Sequence, residues 1–219
     1  AISDIKPEIS SVYIYQNNNN LIFVATDSFR LAEKKIKFNN NINPLIIPFK
    51  NITELIRIFN DEEDNIEISY NENQVSFKNK EILFISRLIN GIYPDYNQII
   101  PKDFLTTLTI NKEEIIQALK LSNIFSNQNN QIKIHISPKD NLFELISKND
   151  QIGENTTILK TKIEGEEVEM FFNAKYILDA FQVIKSDDIF LGFNDKNKPL
   201  FLQGLNDKSF SYIVMPVNR

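Results

Sequence analysis

The sequence predicts an α+β fold built from two related domains. Most segments alternate apolar and polar residues with a period of two, which is typical of half-buried strands. Only three segments carry apolar residues at the i, i+3, i+4, i+7 spacing of an amphipathic helix. One order of these elements occurs twice along the chain, and this repeat predicts two copies of one domain.

The internal repeat spans most of the chain. Residues 46–89 are predicted to form a strand, a helix and three strands, and residues 168–217 repeat this order. The two copies are offset by roughly 120–130 residues, which exceeds the period of a solenoid and suits separate domains. We place the boundary after Pro101, near residues 104–108, and take residues 1–105 as the first domain and residues 106–219 as the second.

The first domain is predicted to contain a hairpin and a three-stranded meander. Two alternating segments, 12–15 and 21–26, flank the asparagine run 17–20, which we interpret as the hairpin turn. Short polar turns separate the three strands of the meander, which are expected at 66–70, 74–78 and 82–88.

Each of the three predicted helices has one apolar stripe. The stripe of the first helix consists of Ile52, Leu55, Ile56 and Phe59. The stripe of the second, at 112–125, consists of Ile115, Ile116 and Leu119. The stripe of the third consists of Ala174, Ile177, Leu178, Phe181 and Ile184. Asn111 and Asn173 directly precede the second and third helices and are their predicted N-caps.

Ile124 lies on the second helix but away from its apolar stripe. At 3.6 residues per turn, this side chain points about opposite Ile115. An apolar residue in that position indicates a second contact surface. Fraying of the helix end and ordinary local packing are the alternative explanations.

The two domains are expected to differ at their starts. The second opens with a strand at 108–110 and the helix 112–125, whereas the first begins directly at its hairpin. If the domains are copies, one strand and one helix of the first domain lie upstream of Ala1. We therefore expect the chain to be truncated at its start.

The composition excludes several classes of function. The sequence contains no cysteine, which excludes thiolate chemistry, and a single histidine leaves too few ligands for a zinc site. A net charge of −5 and a pI near 5.1 argue against a conventional nucleic-acid-binding protein, although they are compatible with a locally basic surface. No apolar run approaches the ~20 residues of a membrane-spanning helix. With no secretory signal either, we expect a cytoplasmic protein. We also expect it to hold no cofactor.

No group of residues in the sequence forms a catalytic arrangement. His135 is predicted on the outward side of a strand, at a solvated position with no nucleophile or carboxylate assigned to it. The acidic run 61–64 lacks the glycine of a calcium loop, and the five scattered glycines form no phosphate-binding loop. We therefore predict that the chain is not an enzyme, with a hydrolase that uses His135 as a distant alternative.

Three motifs that are far apart in sequence carry a resemblance to a known family. They are VATDSFRLA at 24–32, GIYPDY at 91–96 and YIVMPV at 212–217. Motifs similar to these occur in the same order in the bacterial beta sliding clamp, the beta subunit of DNA polymerase III. The resemblance covers the whole chain, as most of the family's middle domain and its complete last domain.

The resemblance implies a DNA-clamp fold, in which antiparallel sheets lie outside and helices line a central hole. Family members are processivity factors of DNA replication, in which two subunits join head to tail around duplex DNA without catalysis and without a cofactor. Contacts with DNA are then expected to be sequence-independent and directed at phosphates. The expected DNA-facing cations lie on the polar faces of the helices: Lys50, Arg57, Lys112, Lys120, Lys175 and Lys185.

The resemblance also implies an apolar pocket between the middle and last domains, which docks short Leu/Phe peptides of DNA polymerase, the clamp loader and repair proteins. The corresponding residues of this chain are Ile9, Thr26, Arg30, Leu31, Pro94, Ile99, Ile213, Met215, Pro216 and Val217. Ordinary core packing is the alternative explanation for Leu31, Ile99 and Ile213. Ser28 and Phe29 replace the family's usual Gly-His, so the rim of the pocket is expected to select different peptides.

The mode of assembly is implied by the same resemblance. Ile124 and Phe125 correspond to a surface of the last domain that meets the first domain of the neighbouring subunit. Because that first domain is absent from these residues, we expect this chain to be mainly monomeric, although the full-length protein forms a homodimer.

One alternative function is a truncated peptide-binding scaffold that does not encircle DNA. Phe49 and Gln98 stand where the family often has a basic residue, and both replacements weaken the expected contacts with DNA. The expected truncation at the start of the chain favours the same alternative.

Overall fold

The computed structural model describes residues 6–60 and 65–217. The acidic run 61–64, which entered the sequence interpretation, lies outside the described residues. The chain divides into two compact units, Ala1–Asp95 and Tyr96–Arg219.

The division falls at Asp95, whereas we placed the domain boundary of the sequence after residue 105. Bonds of the intervening segment explain the difference. The Leu105 backbone N–H donates to the Phe193 carbonyl over 3.0 Å. In the other direction, the Asn194 side chain donates to the Asp103 carbonyl, also over 3.0 Å. These partners are remote in sequence, and no local pattern indicated them.

The first unit contains seven strands and one helix within the described residues. In chain order they are β1 Ser11–Asn17, β2 Asn20–Thr26, β3 Arg30–Lys37, β4 Leu45–Pro48, α1 Phe49–Phe59, β5 Glu67–Tyr70, β6 Gln74–Lys78 and β7 Leu83–Arg87. The first four strands form an antiparallel sheet in the order β3–β2–β1–β4, and the last three form a second sheet, β5–β6–β7. The predicted hairpin and the predicted meander are therefore confirmed.

The core of the first unit combines side chains of both sheets with α1. Its buried members are Ile14, Leu21, Leu45, Ile47, Phe59, Val75 and Phe77. From α1, Ile52, Leu55 and Ile58 pack against this cluster. Ile56 was predicted in the stripe but is 61% exposed, so this part of the prediction is wrong. The buried face is centred near Leu55, and Ile56 lies about 100° further round the helix.

The second unit contains nine strands and two helices within the described residues. In chain order they are β8 Thr106–Asn111, α2 Lys112–Ile124, β9 Gln131–Ser137, β10 Leu142–Asn149, β11 Gly153–Lys160, β12 Ile163–Gly165, β13 Val168–Asn173, α3 Ala174–Phe181, β14 Asp188–Phe193, β15 Leu200–Gly204 and β16 Phe210–Val214. Within this unit the strands lie in the orders β12–β8–β14–β15–β16 and β11–β10–β9–β13, and all pairs are antiparallel.

The predicted repeat is present in the structure. The order β4–α1–β5–β6–β7 of the first unit returns as β13–α3–β14–β15–β16 in the second. The hairpin pairing also returns, because β1 lies between β2 and β4 just as β9 lies between β10 and β13. With antiparallel sheets and three helices among the described residues, the predicted α+β class is confirmed.

The two predicted N-caps are confirmed. The Asn111 side chain accepts from the backbone N–H groups of Glu113 and Glu114 at the start of α2. The Asn173 side chain likewise accepts from two backbone N–H groups of α3. Each bond satisfies a donor that the helix itself leaves unpaired, which stabilises a helix by about 1 kcal/mol.

His135 lies between two carboxylates on the outward face of the β10–β9–β13 sheet. Its Nδ1 is 2.8 Å from Oε2 of Glu144, and its Nε2 is 3.2 Å from Oε1 of Glu167. We had assigned no carboxylate to this histidine and expected a solvated position, so that expectation is wrong. Glu144 is its cross-strand neighbour, and only the strand register brings the two residues together.

Gly192 makes room for an aromatic ring. A Cβ atom on Gly192 would lie 2.4 Å from Cδ1 of Phe104, closer than real Cβ contacts. The Phe104 ring also packs on Phe201, with centroids 5.3 Å apart, and on Phe190, with centroids 5.4 Å apart. This cluster packs the segment before β8 against strands β14 and β15 of the same unit.

We predict that Gly192→Ala lowers the free energy of unfolding by about 1–3 kcal/mol, because the added methyl displaces the Phe104 ring. Urea denaturation measures the change. In a Phe104→Leu background the same substitution should cost less, because the smaller side chain leaves space. An equal cost in both backgrounds would contradict the predicted clash.

The hydrogen bond to Glu144 raises the pKa of His135 above its ordinary value of 6.5; burial opposes this rise, and Glu167 adds to it. A pKa that is raised by folding stabilises the protein fully below the unfolded value of about 6.5. The stabilisation is lost as the pH rises through the higher folded-state pKa. The free energy of unfolding of wild type relative to His135→Gln should therefore fall over that window.

Urea denaturation at a series of pH values tests the predicted pH dependence. Glu144→Gln is the control, because it removes the main cause of the shift and should flatten the dependence. A stability difference that grows with pH would show that the sign is wrong.

Candidate functional site

The first part of the candidate site is the tight loop between β2 and β3. The Asp27 carboxylate accepts from the backbone N–H groups of Phe29 and Arg30, over 3.1 and 3.0 Å. The Thr26 hydroxyl donates to the Arg30 carbonyl over 2.8 Å. Ser28 adopts a positive φ of 74°, a conformation in which glycine is favoured. The glycine that the resemblance implies at this place would suit this backbone, and the bonds of Asp27 and Thr26 hold serine in it.

Arg30 is fixed by the same loop. Its Nε is 2.8 Å from Oδ2 of Asp27, and both side chains are mostly covered. The following residue, Leu31, is only 3% exposed. Of the residues predicted here, Thr26 and Arg30 are therefore partly accessible, whereas Leu31 lies in the interior, as its alternative explanation expected.

The connector after β7 forms the second part. The Ile89 backbone N–H donates to the Ile46 carbonyl over 2.9 Å. The Tyr93 ring stacks on Tyr13 of β1, with centroids 4.7 Å apart. Burial raises the pKa of Tyr93 to about 12. These two anchors hold the connector against the first unit and leave Pro94 exposed.

In the second unit, the candidate residues lie at the end of the chain beyond β16. Ile213 is paired with Phe201 in the sheet and is 2% exposed, so it too lies in the interior. The Val217 backbone N–H donates to the Phe171 carbonyl of β13 over 2.8 Å. Met215, Pro216 and Val217 are all half-buried along this path.

Two further predicted pocket residues lie elsewhere in their units. Ile9 is half-buried in a turn, in which its backbone N–H donates to the Lys6 carbonyl over 3.1 Å. Ile99 follows a short 3-10 helix, Tyr96–Gln98, and is 45% exposed. Core packing therefore does not account for Ile99.

The six predicted DNA-facing cations differ in their surroundings. Arg57 forms an ion pair with Glu54 on the same helix, with Nη2 and Oε2 2.7 Å apart. Lys112 is half-buried, and its ammonium group donates to the carbonyl of Ile184, just beyond α3. The remaining four cations are exposed on or beside the three helices: Lys50, Lys120, Lys175 and Lys185.

Lys112 has a structural role that the sequence did not indicate. Its bond to Ile184 joins the start of α2 to the segment after α3. The carbonyl groups at a helix end need partners, and a lysine is a suitable donor. No sequence pattern marks this pairing, because it depends on how α2 and α3 pack.

The predicted assembly surface lies at the end of α2. Ile124 is 61% exposed, as its position off the stripe predicted, and Phe125 is half-buried at the C-cap. The Asn149 side chain donates to the Ser126 carbonyl over 2.8 Å and so joins this helix end to β10. β11 lies next to β10 at the edge of its sheet in the described chain, where Ile158 is 55% exposed.

Residues 6–60 and 65–217 offer neither a metal-binding cluster nor a membrane-spanning helix. These residues contain no cluster of three or more His, Cys, Asp or Glu side chains with the arrangement to hold a metal ion. Their helices are also too short or too polar for any of them to span a membrane.

The chain matches two family models that together cover both units. Residues 1–95 match the central domain of the DNA polymerase III beta subunit, and residues 97–218 match its C-terminal domain. Among curated relatives, the beta sliding clamp of Bacillus subtilis (strain 168) is 33% identical over 221 residues, which cover 98% of this chain and 58% of the relative. That of Staphylococcus aureus (strain Mu50 / ATCC 700699) is 32% identical with the same coverage. The chain thus spans 58% of the length of these relatives.

Solved structures show the same relationship. The crystal structure of the DNA polymerase sliding clamp from Bacillus subtilis matches with a TM-score of 0.94 and 32% identity, over 100% of this chain and 59% of that one. The DNA polymerase III beta subunit from Thermotoga maritima matches with a TM-score of 0.93 and 25% identity, over 100% of this chain and 60% of that one. The predicted clamp fold is therefore confirmed. The chain belongs to the DNA polymerase III beta subunit family, the beta sliding clamps.

Proposed function

We propose that this chain acts in DNA replication as a sliding clamp, a processivity factor that encircles duplex DNA in a head-to-tail ring and docks the peptides of its partners. The protein would act in the cytoplasm by binding rather than by catalysis. Membership of the family across both domains carries the proposal.

Peptide docking is the best supported part of this function. Hydrogen bonds to main-chain groups hold both the loop from Thr26 to Arg30 and the tail from Met215 to Val217, so each presents a fixed, partly accessible surface. We propose that peptides dock on these surfaces and on Ile9, Pro94 and Ile99. Leu31 and Ile213 would support the surfaces of their own units from beneath, since both are buried.

The chemistry of this surface defines the ligand. Methionine is flexible and polarisable, and it adapts to apolar side chains of different shape. A groove built from Met215, Pro216 and Val217 therefore suits short peptides with Leu and Phe anchors. DNA polymerase, the clamp loader and repair proteins would supply such peptides. The exposed Phe29, where the family usually has histidine, adds an apolar residue beside the loop.

The DNA-facing part of the function rests on fewer cations than the sequence suggested. Arg57 and Lys112 have partners within the chain, so we propose that Lys50, Lys120, Lys175 and Lys185 make the phosphate contacts. Contacts of this kind are weak and sequence-independent. A closed ring tethers DNA by topology and does not require strong contacts.

A peptide-binding scaffold that does not encircle DNA is the second candidate. The bonds of Arg57 and Lys112 within the chain favour the scaffold, because they leave fewer unpaired cations on the helix faces for DNA. The salt dependence of DNA binding separates the two candidates, since a scaffold of this kind would show none.

We predict that Met215→Asp abolishes binding of a peptide of the type Gln-Leu-x-Leu-Phe. Burial of each Leu or Phe anchor contributes roughly 1.5–3 kcal/mol, and a carboxylate in the groove removes this gain. Isothermal titration calorimetry on the folded variant provides the measurement. Ile158→Asp is the control, because Ile158 is also an accessible apolar residue but lies on β11, away from the tail. Unchanged affinity of Met215→Asp would rule out the pocket.

We predict weak binding of linear duplex DNA, with equal affinity for unrelated sequences. The logarithm of the binding constant should fall with the logarithm of the salt concentration by about 0.9 per phosphate contact. Lys120→Gln should reduce this slope by nearly one contact, whereas Lys112→Gln should leave it unchanged. Fluorescence anisotropy at several salt concentrations measures both. Tight, sequence-specific binding at physiological salt would contradict a clamp.

We propose that Ile124 and Phe125, beside the edge strand β11, meet the neighbouring subunit in the full ring. The family places the complementary surface on a first domain, which lies outside the two domains matched here. The 219-residue chain should therefore be mainly monomeric, with weak self-association through this apolar patch that Phe125→Glu reduces. Light scattering at several concentrations decides the question. A stable two-subunit assembly that is insensitive to Phe125→Glu would contradict the proposal.

A further inference from the structure

The Asn90–Gly91 step is an unusual point in the connector after β7. No other asparagine in the sequence is followed by glycine. Both residues are exposed, and neither lies in a helix or strand. The step is bounded by the Ile89 bond to Ile46 and by the stacked Tyr93 ring, so residues 90–92 span the gap between two anchors. Ile92, within this gap, is 93% exposed.

The two groups that react in asparagine deamidation are both available here. In the described chain, neither the Asn90 side chain nor the Gly91 backbone N–H has a hydrogen-bond partner. Gly91 also has no side chain to hinder the approach of its nitrogen to the Asn90 carboxamide carbon. Other asparagines are held in place, as Asn173 is by its bonds at the start of α3.

We propose that Asn90 is a site of spontaneous deamidation. The deprotonated backbone nitrogen of Gly91 attacks the side-chain carbonyl carbon of Asn90, the new C–N bond closes a succinimide ring, and ammonia leaves. Solvent water then adds to one of the two imide carbonyl carbons and opens the ring. The product is aspartate or isoaspartate with one additional negative charge, and neither oxidant nor reductant is required.

The new carboxylate would enter an already acidic neighbourhood. Asn90 and Glu72 line the same cavity, of about 340 Å³, together with Tyr13 and Tyr93. Glu8 lies against Gly91, since a Cβ atom there would be 2.8 Å from its Oε1. Repulsion between like charges would loosen the connector, and salt would screen the effect. Deamidation thus converts a neutral segment of the connector into a charged one as the protein ages.

The test incubates the folded 219-residue chain at mildly alkaline pH beside a synthetic peptide of residues 86–95. Peptide mapping by mass spectrometry follows the conversion of the amide to the acid at Asn90. Because the structure leaves both groups free, no local unfolding should be needed, and the rate should lie within about tenfold of the peptide's. A rate in the folded chain that is slower than the peptide's by more than about tenfold, or conversion first at another asparagine, overturns the proposal.

Gly91→Ala is the matched variant. Only the flexible end of the Glu8 side chain has to move to accept the methyl group, so the fold should be retained. The methyl group hinders ring closure, and conversion at Asn90 should become much slower. An equal rate in this variant overturns the proposed route, and Asn173 in the same digest provides an internal reference that should stay intact.

Discussion

Each sheet of this protein has to bury one face, and that constraint decides which side chains remain available for binding. In the second unit, alternate residues of β9, β10 and β13 are buried, as Ile134, Leu145 and Phe172 illustrate. In the first unit, one face of β1 and β2 packs with α1 and the β5–β7 sheet. Burial of these apolar side chains supplies the main driving force of folding. The loops, the outward helix faces and the chain end are what is left for partners.

Hydrogen bonds to main-chain groups, rather than buried apolar side chains, shape the two candidate peptide-contacting segments. Asp27 and Thr26 close the β2–β3 loop, and the Val217–Phe171 bond lays the chain end along β13. Both segments are therefore ordered without being part of a core. An ordered surface loses little conformational entropy when a ligand binds, which favours the capture of short peptides.

The helices illustrate how packing assigns different roles to similar residues. Lys112 and Lys120 belong to the same helix, yet the first bonds to the carbonyl of Ile184 and the second is exposed. A half-buried ammonium group needs a partner, because an unpaired buried charge is costly. Lys112 thus contributes to the contact between α2 and α3, and only the exposed cations remain for phosphates.

Sequence alone determined the features that depend on neighbours within one helix or hairpin. The N-caps Asn111 and Asn173, the exposure of Ile124 and the repeated order of one strand, one helix and three strands follow from local periodicity and turn chemistry. Tertiary structure alone decided the pairing of His135 with Glu144 and the packing of Phe104 against Gly192. It also placed Ile58 rather than Ile56 on the buried face of α1. These features depend on strand register and on the packing of remote segments, and the local period of a sequence contains no information about either.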